Sequence, residues 1–218
     1  MKKDKKDSQK ETSKNHLGKL LGEPEGTPKR SKRKEELIQE KTITEKSKTE
    51  ELIGNPEEEE DIYPVYILQR VVYETFLLCK KSDPNEAIGI LLGYKYLYKG
   101  KKYVKVVDWV TGKAYSSHAY AEFTPEGVRQ YTTIIEEKYG GSEERPKIVG
   151  IFHSHPFGSN PHFSSTDYNT FLNFPYDAEH NVFVLIDPRS NYYKSYIVVN
   201  ENGEKDLKEV DWIEYTVK

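Results

Sequence analysis

An α+β domain, with a mixed β-sheet flanked by helices in an αβα-like arrangement, is the fold class this sequence predicts. Three observations predict it. Short β-branched and aromatic runs of strand length recur from residue 87 to the C-terminus. Stretches with helical spacing or helix-start chemistry stand among them, near residues 64–79, 124–139 and 165–173. The resulting order is helix, strands, helix, strand, helix, strands, which suits helices packed on a sheet.

Residues 1–61 read differently. Their apolar residues are sparse, no aromatic precedes Tyr63, and lysine and glutamate dominate. Such a segment cannot bury enough surface to offset chain entropy, so a disordered charged tail is expected, with a marginal helix over 35–53. The folded domain is expected at 62–218. Two charge blocks stand in the tail, a basic one at 29–34 and an acidic one at 57–61. Solvated tail is the plainer reading of both, and docking patches the sharper one.

The domain opens with Pro64, Val65, Leu68, Val72, Phe76 and Cys79 at three- and four-residue spacing, which predicts a helix of about five turns. Cys79 belongs to its core face. Ser82-Asp83-Pro84-Asn85 breaks it. Glu86 then leads an apolar run, 87–92, that reads as a buried strand and continues to Tyr98. Lys99-Gly100 turns it into a partner strand, 103–110. Residues 112–122 could be loop or strand. Thr124-Pro125-Glu126 combines a cap, a proline and an acid at the positive end of a helix dipole. Val128, Tyr131 and Ile135 form that helix's apolar face, and Gly140-Gly141 ends it. A buried strand at 148–152 follows, then a short helix over 165–173. Val182 to Ile186 is another buried strand, 192–199 its hairpin partner, and 210–217 a last strand.

The 148–155 stretch bears the chemistry. Side chains two apart on a strand point the same way, so Ile151, His153 and His155 share a face. Pro156 has no N–H and stops the ladder. Two imidazoles at a strand end suit a metal, but a catalytic zinc takes three protein ligands. Asp167 is the natural third. It equally completes a capping box with Ser164 at the next helix start, and one carboxylate can serve both purposes. His118 and His180 read as surface residues in polar loops.

Together, His153-Ser154-His155-Pro156 and Ser164-x-x-Asp167 resemble the signature of the JAMM (MPN-type) metalloproteases. That family includes proteasome-lid and endosomal deubiquitinases, a signalosome deneddylase, and archaeal and bacterial relatives. It also carries a glutamate opening an earlier strand, as Glu-x-x-Gly-x-x-x-Gly. Glu86-Ala87-Ile88-Gly89-Ile90-Leu91-Leu92-Gly93 matches. The resemblance implies an MPN, cytidine-deaminase-like architecture and one catalytic Zn2+ held by His153, His155 and Asp167. It implies Glu86 as general base and Ser164 as hydroxyl donor to an oxyanion. The implied substrates are conjugates of a ubiquitin-like modifier, cut after its C-terminal glycine, with a larger assembly as a further expectation. One feature departs from the family pattern: eight residues, 156–163, separate His155 from Ser164 where seven are usual. His162 in that loop competes with Asp167 as third ligand. A catalytically silent MPN-type scaffold and a processing enzyme for sulfur-carrier proteins remain as alternatives.

The chain is 35% hydrophobic and 32% charged with net charge -3, which does not favour nucleic acid as a partner. Its single cysteine excludes an intramolecular disulfide and favours a reducing, cytoplasmic setting. No apolar run approaches the roughly 20 residues of a membrane span, and no secretory signal is expected.

Overall fold

The computed structural model describes residues 62–159, 162–173 and 175–217. The tail expected at 1–61, with its two charge blocks and His16, lies outside the described residues.

The first strand is a correction to the expected helix. Val65–Leu68 is β1, and the helix α1 begins only at Gln69 and runs to Ser82. The helical spacing is real, but β1 is inserted between two strands from elsewhere in the chain, parallel to both. It pairs with Val104, Lys105 and Val106 on one side and with residues 212–215 on the other. Val65 and Ile67 are fully buried there. Pairing on both edges outweighs a local helical preference.

β2 (Ile88–Tyr98) and β3 (Lys101–Val110) form the expected hairpin. Lys99 and Gly100 both take positive φ, as a two-residue turn of this kind requires. β4 (Ala114–Ser117) and β5 (Tyr120–Phe123) resolve the ambiguous stretch as a separate small hairpin. α2 (Pro125–Tyr139) starts where its cap predicts, with the Thr124 hydroxyl accepting from Gly127 N–H at 3.0 Å. Its packing is looser than the pattern suggested. Tyr131 and Ile135 face the core, but Val128 is exposed.

β6 (Lys147–Ser154) is followed by α3 (Ser165–Phe171), β7 (Val182–Asp187) and β8 (Tyr192–Glu201). Ile148, expected in the buried part of β6, is exposed. A register shift against β2 at this point leaves Val149 as the extra residue, which breaks strict alternation. The C-terminal segment forms two strands, not one: β9 (Glu204–Val210) and β10 (Trp212–Tyr215). β9 went unread because five of its seven residues are charged. It is an edge strand, where charge is tolerated and useful.

The eight-stranded sheet has the order β10-β1-β3-β2-β6-β7-β8-β9 and mixes parallel and antiparallel pairs. α1 covers one face, with Val71, Val72, Phe76 and Cys79 packed on Leu91, Val106, Phe152 and Ile186. On the other face, Phe123, Phe163 and Phe171 pack against Ile90, Ile151 and Leu185, flanked by Tyr131 and Ile135 of α2. The expected α+β class, a mixed sheet between helices, is the observed one. Burial pushes the Cys79 thiol up to about 12, so it stays protonated as a core residue.

Candidate metal centre

The site forms where the C-terminal end of β6 meets the start of β2. Gly89 makes that meeting possible, and Gly93 allows the close pairing of β2 with β3 farther along. A Cβ on Gly89 would sit 2.1 Å from Phe152 Cε1, and one on Gly93 would sit 2.1 Å from the Lys105 carbonyl oxygen. Without side chains at these points, β2 lies close against its neighbours, and Ile88 pairs directly with His153. The glycines of the motif are therefore requirements of packing.

Glu86 is held by its backbone just before the strand. Its N–H donates to Ser117 O at 2.8 Å, and Ser116 Oγ donates to its carbonyl at 2.6 Å. The β4–β5 hairpin thus straps the glutamate in place. On the other side, Ala87 N–H donates to Ser154 Oγ at 2.7 Å and Ser154 N–H to Ala87 O at 2.9 Å. Ser154 locks β2 to β6 between the two histidines. His155 continues the β6–β7 ladder, donating from its backbone to Ile186 O at 2.9 Å.

These constraints aim four side chains at one point. His153 Nε2 lies 3.1 Å from Glu86 Oε2 and 3.6 Å from Asp167 Oδ1. His155 Nε2 lies 3.7 Å from Glu86 Oε1 and 3.3 Å from Asp167 Oδ2. The imidazole planes cross at 80° with centroids 5.0 Å apart. Glu86, His153 and His155 are buried, and Asp167 is partly so. His153 Nδ1 and Nε2 are buried without a hydrogen-bond partner. A buried polar atom left in that state costs about 1–3 kcal/mol, so its persistence here needs an explanation. A cation between two imidazoles and two carboxylates supplies one. Imidazole nitrogen and carboxylate oxygen are ordinary zinc donors, and the set fits that ion.

Asp167 forms the capping box, with its oxygens 3.6 and 3.3 Å from the two imidazoles. Ser164 Oγ accepts from Asp167 N–H at 3.2 Å, and Asp167 Oδ2 accepts from Ser164 N–H at 2.8 Å, a complete capping box. Ser164 Oγ also donates to Oδ2 at 2.7 Å. Burial would raise the Asp167 pKa, but His155, His153 and the Ser164 donors outweigh it and hold the carboxyl well below the usual range. His162 is exposed. Among the described residues, the group whose ligand atoms all lie within 4.8 Å of one another is Glu86, His153 and His155. His118 is exposed as expected, whereas His180 is partly buried and takes a positive φ.

Supporting residues escaped the sequence reading. Asp83 binds Arg189 through both carboxylate oxygens, tying the segment before Glu86 to the β7–β8 turn. Asp187, fully buried, accepts from Arg189 N–H at 2.9 Å and shapes that turn. Ser190 Oγ donates to Ser159 O at 3.3 Å, which anchors the long loop after His155. The only sequence signal was Asp187-Pro188, a strand end.

Comparison with known proteins agrees with this site. A family model described as prokaryotic homologs of the JAB domain matches residues 68–205, a span that includes all four converging side chains. No curated protein sequence matches the chain. The chain belongs to the JAB (MPN, JAMM-type) family.

Proposed function

We propose that this JAB-family member is a zinc-dependent isopeptidase or peptidase. It hydrolyses the bond between the C-terminal glycine of a ubiquitin-like modifier and a lysine amine or fused peptide. The observation that carries the reading is the buried, unpartnered His153 nitrogen pair inside a cluster of two imidazoles and two carboxylates. Family membership supports metallohydrolase chemistry, and the choice of substrate rests on the family resemblance.

In this reading His153, His155 and Asp167 hold one zinc ion. A bound zinc supplies a Lewis acid that polarises a carbonyl and lets water ionise near pH 7. Glu86 takes the proton from attacking water and returns it to the leaving amine, the two halves of general acid–base catalysis. Its backbone clamps restrict where the carboxylate can move. Ser164 turns its hydroxyl from Asp167 toward the oxyanion, with its backbone held by the capping box. Burial of Glu86 and His153 excludes bulk water and strengthens each of these interactions.

A reducing, cytoplasmic setting and action within a larger assembly belong to the same proposal, as does the absence of a nucleic-acid or membrane partner. No described helix is long and apolar enough to cross a membrane. The test is zinc content per chain in wild type and Asp167→Ala after dialysis against a weak chelator, followed by cleavage of Gly–Lys isopeptides and modifier fusions. Near-stoichiometric zinc lost in the variant, with cleavage by wild type, is expected. Zinc without cleavage of any such bond overturns the isopeptidase reading, and cleavage confined to sulfur-carrier extensions redirects it. No retained zinc in wild type makes the domain a scaffold. Zinc retained in both proteins moves the third ligand from Asp167 to Glu86 or His162.

A further inference from the structure

The end of β6 leads into a turn that sets an aromatic ring on the rim of the metal centre. Phe157 N–H donates to His155 O at 2.8 Å, so the chain folds back within two residues. The Phe157 ring then lies along the His155 imidazole, with centroids 5.2 Å apart and planes tilted by 32°. The chain leaves through Gly158, at φ +72° beside Arg189, a conformation that favours glycine. The Ser190–Ser159 hydrogen bond fixes the far side of the turn.

Phe157 is 52% exposed. The other described phenylalanines, Phe76, Phe123, Phe152, Phe163, Phe171 and Phe183, are each at most 8% exposed. Single exposed apolar side chains are common, and Leu97 is another. Phe157 differs in what it touches. One side of its ring covers a buried imidazole of the metal centre, and the rest is open to whatever approaches that centre.

The bond to be cut tells which part of a substrate meets the ring. On its acyl side stands a glycine, which has no side chain to offer. On the other side of an isopeptide stands a lysine nitrogen followed by its methylene stem. Acylated, that nitrogen carries no charge, so the contact is apolar and not a cation–π pair. An unbranched stem can lie across a ring. A fused α-peptide presents polar backbone at the same distance from the cut.

We propose that Phe157 is a specificity-determining residue: its open side receives the lysine stem of an isopeptide and favours that bond over an α-linked fusion. The proposal rests on the isopeptidase reading for the identity of the bond. The turn holds the ring in place before substrate arrives, so little ordering cost opposes the contact. Fully burying a methylene is worth about fourfold in affinity, and a stem covered on one side should gain about twofold per methylene.

The test uses the full zinc-loaded chain and glycyl conjugates of diaminopropionate, diaminobutyrate, ornithine and lysine, joined through the side-chain amine. Each is made as the amide, for cleavage, and as the neutral ketomethylene analogue, which has no C–N bond to cut, for binding. In wild type, each added methylene should tighten ketomethylene binding about twofold and raise kcat/KM of the amides by a similar factor. Phe157→Ala should flatten both series, Phe157→Leu should restore part of the slope, and Leu97→Ala should leave it unchanged, with zinc content at the wild-type level throughout. A slope unchanged in Phe157→Ala, or no binding across the series, overturns the proposal. So does faster zinc loss to a chelator in Phe157→Ala with its slope intact, which would make the ring a cover for His155. A glycyl-phenylalanine ketomethylene that binds more tightly than the lysine one, and loses that advantage in Phe157→Ala, overturns the lysine stem in favour of an apolar residue after the cut. Amides left uncut while the binding slope holds would support the stem contact and overturn the isopeptidase activity instead.

Discussion

Asp108 and Glu86 are buried almost equally, at 2% and 3% exposure, yet their surroundings differ in kind. Asp108 is saturated. Lys138 Nζ reaches it at 2.6 Å, Tyr139 OH at 2.5 Å and Arg70 at 2.9 Å. Burial pushes its pKa upward, but the Lys138, Tyr139 and Arg70 hydrogen bonds outweigh that and hold it at about 2. The carboxylate ties β3 to α1 and α2, and its charge is balanced within the fold. Glu86 instead faces two imidazoles, one of which has no hydrogen bond at either nitrogen. Buried polar groups are normally satisfied. A buried carboxylate whose neighbours keep unspent donor capacity is arranged for something besides folding.

The contrast can be broken most directly at Glu86. Glu86→Gln is expected to lower isopeptide cleavage by about 10²–10⁴ while leaving zinc content and melting temperature near wild type. A melting temperature that falls as far as in an Asp108 variant would put the two carboxylates in the same class. Ser164→Ala comes next. Losing an oxyanion donor costs about 10²–10³ in kcat, and losing the cap about 1 kcal/mol of stability. A stability loss with kcat intact would make Ser164 a cap alone.

Asp108→Ala should sharpen the comparison from the other side. Removing one member of a buried charge network strands its partners, but Arg70 and Lys138 are about half exposed and can turn to water. The expected loss is about 1–3 kcal/mol by denaturant unfolding, with activity per folded molecule unchanged. Acid titration tests the same carboxylate. Its folded pKa of about 2 lies below the unfolded value of about 3.9, so its stabilisation is full above pH ~4 and is lost as pH falls through 2. Asp108→Asn should flatten that stretch of the stability curve. The smallest expected effect is at Arg189→Ala. It frees the segment before Glu86, but the pair with Asp83 is exposed, so a slight fall in kcat with little change in melting temperature is the expected outcome.

Much of the site was legible because its signals are local. His153 and His155 follow a buried strand, Ser164 and Asp167 open a helix, and each pattern rests on neighbours within four residues. Ser116 and Ser117 were not legible as the strap on Glu86, since that contact spans about thirty residues and the serines have no distinctive setting. The same holds for Asp108. Nothing beside it in sequence announces that Arg70 and Lys138, on helices before and after it, will converge on one carboxylate.

Periodicity and turn chemistry alone thus determined the class of fold, most strand and helix positions, the turn at Lys99-Gly100, and the shared strand face of His153 and His155. The tertiary structure decided what depends on contact between distant segments. It made residues 65–68 a strand despite their helical spacing, because two edges were there to pair with them. It drew charged residues 204–210 into the sheet because an edge strand keeps one side in water. It brought Glu86 within 3.1 Å of His153 by pairing Ile88 with His153, next to the point where Gly89 leaves room for the Phe152 ring. Hydrophobic pattern reports which face of a segment is buried; only packing decides what it is buried against.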